Sequence, residues 1–187
     1  FDLSEKYQIP VILRPVLRVS HAQQTIAFNP IPKIERKANF TRNPQRWSAT
    51  PRFRFILHKQ LNQKLKEITK EFNSMTSVNF IENDQERAVL GVIAGGIGYA
   101  IVRDILPELG LQENIPILKI GTPYPLPTEI VETFIQKCDH VLILEETEPV
   151  IELQIRDKSK IIGRLDGPVP NEGEMLPEVM TQILFDL

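Results

Sequence analysis

An α/β architecture in three layers, built on a mostly parallel sheet, is expected for residues 74 to 187, preceded by an extended linker and an orphan strand from another domain. Three features of the sequence lead there. Continuous apolar runs such as Val89 to Ala94 have the character of strands covered on both faces. Amphipathic stretches alternate with these runs at a pitch suited to right-handed strand–helix–strand crossovers. Turns rich in glycine and proline mark the joints.

The elements follow in order. Residues 2 to 8 read as the last turns of a helix. Ile9 to Leu13 (IPVIL) is a short apolar run that Pro10 and Pro15 bracket as a strand. The next 35 residues hold no comparable run. Such a strand must pair with a sheet from sequence outside this chain or from another chain, or pack on the following domain; the first is preferred, because unpaired ladder groups are costly. Asn29 to Phe55, with Pro30, Pro32, Pro44 and Pro51, reads as a connector running extended over a surface, with Trp47 as its large anchor. From Leu57, the positions Leu57, Leu61, Leu65, Ile68 and Phe72 form one helical stripe. A brief strand, Val78 to Ile81, precedes the main run at Val89 to Ala94. The turn Gly95-Gly96-Ile97-Gly98 then leads into a helix from about Tyr99 that Pro107 kinks or ends. Ile115 to Ile120 is the next strand. After the turn Gly121 to Pro127 comes a helix with Ile130, Val131, Phe134, Ile135 and Cys138 facing inward. His140 to Leu144 is a strand, Pro149 to Arg156 a helix, Lys160 to Gly163 a short strand, and Pro177 to Phe185 the closing helix.

Charge is divided unevenly along the 187 residues. Residues 1 to 60 hold 11 Lys and Arg against Asp2, Glu5 and Glu35, a balance of +8, and residues 61 to 187 hold 11 against 21, a balance of −10. Seven basic residues stand between Lys33 and Arg54 against Glu35 alone. Their interleaving with Phe40, Trp47, Phe53 and Phe55 would suit a single-strand nucleic-acid platform. A wrapping linker whose aromatics plug into neighbouring domains accounts for it better, so nucleic acid is not expected as a partner. With Cys138 as the one cysteine, the chain alone can build no disulfide and no four-cysteine cluster, and His21, His58 and His140 have no metal-ligand spacing. No stretch approaches the roughly 18 apolar residues of a membrane span. A reducing, cytoplasmic setting is expected, and the absence of an initiator methionine suggests a piece of a longer protein.

Ligand sites in such sheets gather at the carboxyl ends of the strands. Three loops qualify: Gly95 to Gly98, Thr122 to Pro127, and Glu145 to Glu148. The glycines Gly95, Gly96 and Gly98, at a helix start, suit phosphate binding through backbone N–H groups. They lack the full dinucleotide fingerprint, and tight strand-to-helix packing explains them better. Glu145, Glu146 and Glu148 suggest Mg²⁺ binding or general-base work. Consecutive residues leaving a strand point to opposite sides, however, so a structural role at the helix start is favoured. Cys138 reads as a buried structural thiol, and His58 and His140 as structural or solvated. Arg14, Arg18, Ser20 and His21 crowd the exit of the first strand as a cationic patch able to receive an anion. Surface structure is set slightly ahead of that reading.

IPVILRPVLRVSH, the proline-rich connector, LGVIAGGIGYA, ILKIGTPYPLP and VLILEETEPVIELQIR, in that order, resemble the alpha subunits of the indolepyruvate:ferredoxin oxidoreductases. These form a branch of the thiamin-diphosphate-dependent 2-oxoacid:ferredoxin oxidoreductases. The resemblance implies that residues 1–29 end a pyrimidine-binding domain, 30–56 form a basic interdomain linker, and 57–187 form a transketolase C-terminal-like domain with its leading helix. It implies, for the whole enzyme, oxidative decarboxylation of an arylpyruvate to an acyl-coenzyme A with reduction of ferredoxin. Thiamin diphosphate, Mg²⁺ and iron–sulfur clusters would serve that reaction. The implied partners are the remaining alpha-subunit domains, a beta subunit, ferredoxin and coenzyme A. This segment is expected to bind none of those cofactors and to contribute no catalytic or metal-ligating residue; Arg18, Ser20 and His21 would sit near the active-site cleft. Two departures bear on this. Val16-Leu17 stand where the family often has paired threonines, which puts substrate contact near Arg14 and Arg18 in doubt. Gly95-Gly96 replace the usual Ser-Gly, which weakens a hydroxyl role at position 95. The alternatives are a fragment of a transketolase or 2-oxoacid dehydrogenase E1-type enzyme, and a non-enzymatic scaffold binding a nucleotide or coenzyme A.

Overall fold

The computed structural model describes residues 1–31, 33 and 37–187. Pro32 and Glu35, part of the expected linker, lie outside the described residues. The chain forms two compact units, Phe1–Lys64 and Leu65–Leu187.

The first unit holds α1 (Asp2–Tyr7), α2 (Leu17–His21), α3 (Pro44–Trp47) and the start of α4 (Arg54–Ser74). The C-terminal end of α1 is its best-tied point. Gln8 turns left-handed there, with φ 51°. Lys64 Nζ donates to the Tyr7 carbonyl at 2.6 Å, and an Arg46 Nη donates to the Gln8 carbonyl at 3.1 Å. These cations meet the carbonyl end of a helix dipole. Ile9 to Leu13 joins no sheet among the described residues, where the expected partner lies in sequence outside this chain. The run is apolar enough for a strand, yet it finds no ladder among the described residues, and Ile12 and Leu13 are 86% and 92% exposed. The connector is interrupted by α3, where Pro44 takes the first helical position and the Asn43 side chain accepts from Arg46 N–H. Trp47 meets Phe40 in a tilted ring contact and lies under the Arg46 guanidinium, and it stays 48% exposed.

The second unit is a five-stranded sheet in the order β1-β3-β2-β4-β5. Its strands are β1 (Asn79–Glu82), β2 (Ala88–Gly95), β3 (Ile117–Ile120), β4 (Cys138–Leu144) and β5 (Ile161–Ile162). β2, β3, β4 and β5 run parallel, and β1 pairs antiparallel with β3 at one edge. The helices are α5 (Gly96–Glu108), α6 (Thr128–Lys137), α7 (Val150–Gln154) and α8 (Pro177–Asp186). Successive side chains of β2 and β4 alternate between faces, as strand geometry requires. Val92, Ala94, Leu142 and Leu144 pack with Ile101, Ile105, Met180 and Ile183 of α5 and α8. Ile93, Val141 and Ile143 pack with Val131, Phe134 and Ile151 of α6 and α7. Both faces are therefore buried, which is why β2 and β4 read as continuous apolar runs. The three-layer α/β expectation holds in this unit.

Two details differ from the sequence reading. Cys138 begins β4 instead of ending α6, because the α6 C-cap falls at that residue with extended backbone. It is buried all the same, with its thiol pushed up chiefly by burial. Pro107 does not end α5; the helix runs one residue past it, to Glu108.

Candidate functional site

The carboxyl ends of β2, β3 and β4 lie side by side, since Gly95 is in register with Ile120, and Ala94 with Leu144. Three loops gather there: the glycine turn, Gly121 to Pro127, and Glu145 to Pro149. What that edge can do depends on which of its polar groups are already used.

The glycine turn is mostly a packing device. A Cβ on Gly98 would lie 2.9 Å from the Leu144 carbonyl oxygen, so only glycine lets α5 start this close to β4. Gly96 differs: its φ is +54°, which favours glycine, and no atom lies within 4 Å of where a Cβ would stand. Gly95 is the N-cap of α5 and has no side chain to cap it. The first N–H groups of a 13-residue helix thus begin beside one open position.

The Gly121 to Pro127 loop is held from both sides. Asn79, fully buried, accepts from the N–H groups of Gly121 and Thr122 at 2.9 and 3.2 Å, and donates to the Phe72 carbonyl and Thr122 Oγ1 at 2.9 and 2.8 Å. Gln154 of α7 accepts from Leu126 N–H and donates to the Pro123 carbonyl. Asn79→Ala strands several buried polar groups at once and is expected to cost about 2–3 kcal/mol, as read by urea unfolding. A loss under about 0.5 kcal/mol would mean that water replaces the amide.

The carboxylates of the third loop are occupied by backbone N–H groups. Glu145, 5% exposed, accepts from Ile151 and Glu152 N–H at 2.7 and 3.0 Å and so caps α7. Glu146 reaches the other way, to Met175 N–H. The two do not converge, as the strand-exit argument expects, and among the described residues no group of three His, Cys, Asp or Glu side chains is placed to hold a metal ion. Glu152, 3% exposed, accepts from Arg164 and Leu165 N–H, and Arg164, also 3% exposed, donates from Nη1 to the Glu145 carbonyl at 3.1 Å. Two buried carboxylates and one buried guanidinium therefore stitch β4, α7 and the turn after β5 together. A Cβ at Gly163 would collide with the Glu152 carboxylate. Sequence reasoning singled out Glu145 but missed Glu152, Arg164 and Asn79. The available signal was a polar residue inside an otherwise apolar run: Glu152 between Ile151 and Leu153, and Asn79 between Val78 and Phe80.

Burial raises the Glu145 carboxyl above its ordinary 4.5; the two backbone N–H groups pull it back, Glu152 pushes it up and Arg164 lowers it. The folded chain therefore holds this proton more tightly than the unfolded chain. Its contribution is fully present below the unfolded value and is lost as pH rises through the folded one. Unfolding of wild type and Glu145→Gln, compared at about pH 5 and about pH 7.5, should show wild type losing ground to the variant at the higher pH. A pH-independent difference would remove Glu145 as the titrating group.

The other candidates, Arg14, Arg18, Ser20 and His21, lie in the first unit and are exposed. Arg18, Ser20 and His21 share α2, where Ser20 Oγ donates to the Val16 carbonyl. The glycine turn belongs to the second unit. His58 on α4 and His140 on β4 are both exposed.

A family profile described as Indolepyruvate oxidoreductase domain matches residues 81–167. Among relatives, the indolepyruvate oxidoreductase subunit IorA of Pyrococcus abyssi is 37% identical over 161 residues, covering 83% of this chain and 24% of that subunit. The IorA subunit of Archaeoglobus fulgidus is 34% identical over 173 residues, covering 91% and 27%. That of Methanothermobacter thermautotrophicus is 30% identical over 194 aligned positions, covering 100% and 31%. The chain thus spans 24–31% of the length of these relatives. Among solved structures, a 2-oxoglutarate:ferredoxin oxidoreductase from Magnetococcus marinus, with 2-oxoglutarate, coenzyme A and succinyl-CoA bound, matches 73% of this chain and 23% of its own, with a TM-score of 0.50 and 16% identity. That likeness is one of fold.

Proposed function

The chain belongs to the indolepyruvate oxidoreductase family, and from that premise we propose that it is the supporting segment of a 2-oxoacid:ferredoxin oxidoreductase alpha subunit. In the proposed reaction an arylpyruvate loses CO2 by cleavage of its C1–C2 bond. The acyl group forms a thioester with coenzyme A, and the two electrons released pass to oxidised ferredoxin.

The observation that carries a supporting role for this segment is the use already made of the polar groups at the carboxyl edge. Glu145 and Glu146 spend their carboxylates on the N–H groups of Ile151, Glu152 and Met175. The one thiol is buried at the start of β4. These residues do not fit a thiamin-bound Mg²⁺ or an iron–sulfur cluster, and no step is assigned to them through either. The segment instead presents packed loops to neighbouring domains. In this reading residues 1–29 complete a pyrimidine-binding domain, 30–56 connect it, and Arg14, Arg18, Ser20 and His21 face the cleft. The remaining alpha-subunit domains, a beta subunit, ferredoxin and coenzyme A are the proposed partners. The proposed setting is the cytoplasm, and no helix among the described residues is long and apolar enough to cross a membrane.

Calorimetric titration of the chain with thiamin diphosphate and Mg²⁺ is expected to give no saturable heat at concentrations up to about 100 μM. Micromolar binding would overturn the supporting role. The open position at Gly96 favours one second reading, a nucleotide or coenzyme A site at the start of α5. Titration with coenzyme A, repeated on Gly96→Val, decides it.

A further inference from the structure

We propose that the cleft between α5 and the turn after β1 binds a small zwitterion, an α-amino acid with an aliphatic side chain. The cleft lies wholly in the second unit, away from the carboxyl edge, and the inference does not depend on the proposed reaction. It encloses about 210 Å³. That is below the roughly 300–1,000 Å³ of sites for drug-sized ligands and cofactors, and it excludes a nucleotide or thiamin diphosphate.

Its chemistry is amphoteric. Leu106, Ile115 and Ile117 give it an apolar floor, and Glu82 and Arg103 stand in its wall. Glu82 uses Oε1 alone: the Tyr99 hydroxyl donates to it at 2.6 Å, and Arg103 Nε lies 3.5 Å away. Its Oε2 accepts no hydrogen bond among the described residues, and neither Arg103 Nη group donates one among them. At 3.5 Å, with the Arg103 side chain 62% exposed, this is a loose pair that a ligand can enter at little cost. Pro107 also lines the cleft. A carboxylate and a guanidinium over an apolar floor match an ammonium and a carboxylate on one carbon that bears an apolar side chain.

The wall is fixed in advance. Asn83 sits at φ 53° and donates from Nδ2 to the Gln112 carbonyl at 2.9 Å, and Gln85 Nε2 donates to the Glu113 carbonyl at 2.7 Å. These bonds tie the turn after β1 to the segment leading into β3, so little ordering is left for binding to supply.

The test is a titration of the full chain with L-leucine, followed through the NMR shifts of the Leu106, Ile115 and Ile117 methyls. Isopentylamine, which lacks the carboxylate, and 4-methyl-2-oxopentanoate, which lacks the ammonium, serve as matched probes. L-Leucine is expected to move these methyls saturably, with each one-ended analogue at least about tenfold weaker. Glu82→Gln, which keeps an acceptor for Tyr99, and Arg103→Gln should each weaken L-leucine by about tenfold or more, with the methyl spectrum of the free protein otherwise preserved. No saturable shift by about 10 mM, an analogue that binds as well as L-leucine, or indifference to both substitutions would overturn the proposal.

Discussion

Arg164→Leu is expected to destabilise residues 65–187 by about 1–3 kcal/mol, the cost of leaving a buried carbonyl without its donor. Arg164 is 3% exposed and Glu145 5%, so little water can replace the lost guanidinium. The Glu145 carbonyl loses its Nη1 donor. Part of the loss should return on acidification, because Glu145 already holds its proton above its ordinary range and removing a cation raises it further. Urea unfolding followed by circular dichroism, at neutral pH and near pH 5, reads both effects. A cost below about 1 kcal/mol would show that backbone N–H groups alone balance the carboxylates.

Gly98→Val is expected to cost about 3 kcal/mol, the upper end of what overpacking a filled interior brings. Alanine already places its Cβ 2.9 Å from a backbone carbonyl oxygen, which cannot swing aside as a side chain does, and valine adds two methyl groups. α5 would have to retreat from β4, opening the core where Ile101, Val102 and Leu144 meet. Gly96→Ala is the control. It meets no atom within 4 Å and carries only the left-handed backbone penalty at φ +54°, about 1–2 kcal/mol. Comparable losses at the two positions would mean that backbone strain, not contact, governs the turn.

The sheet was legible because both of its faces are covered. Runs such as VLGVIA and VLIL leave no polar alternation to mistake, and amphipathic helices stand between them. Ile9 to Leu13, an equally apolar run, finds no ladder among the described residues, in keeping with a strand whose expected partner lies outside this chain; composition reports what a strand can be made of, not where its neighbour is. The antiparallel pairing of β1 with β3 was not foreseen, since direction depends on the path of the chain through residues 75–78 and not on the residues of β1. The site was readable only as a place. The three loops at the carboxyl edge follow from topology, but the partners of Glu145 do not: Ile151 and Glu152 lie one short helix on, and Arg164 19 residues away. Arg164 stands in a turn whose next three residues, Leu165, Asp166 and Gly167, are exposed, and nothing in the sequence marks it as the buried one.

The ends of the sheet bear on how the chain behaves at high concentration. β5 offers two residues of open ladder and β1 four. A template that short gives an incoming strand few backbone hydrogen bonds, too few to offset the entropy of ordering it. Runs such as VLGVIA and VLIL, which would nucleate cross-β stacking if exposed, are instead the central strands. Colloidal stability in this unit is therefore set by strand order: the segments most prone to fibril formation are paired on both sides.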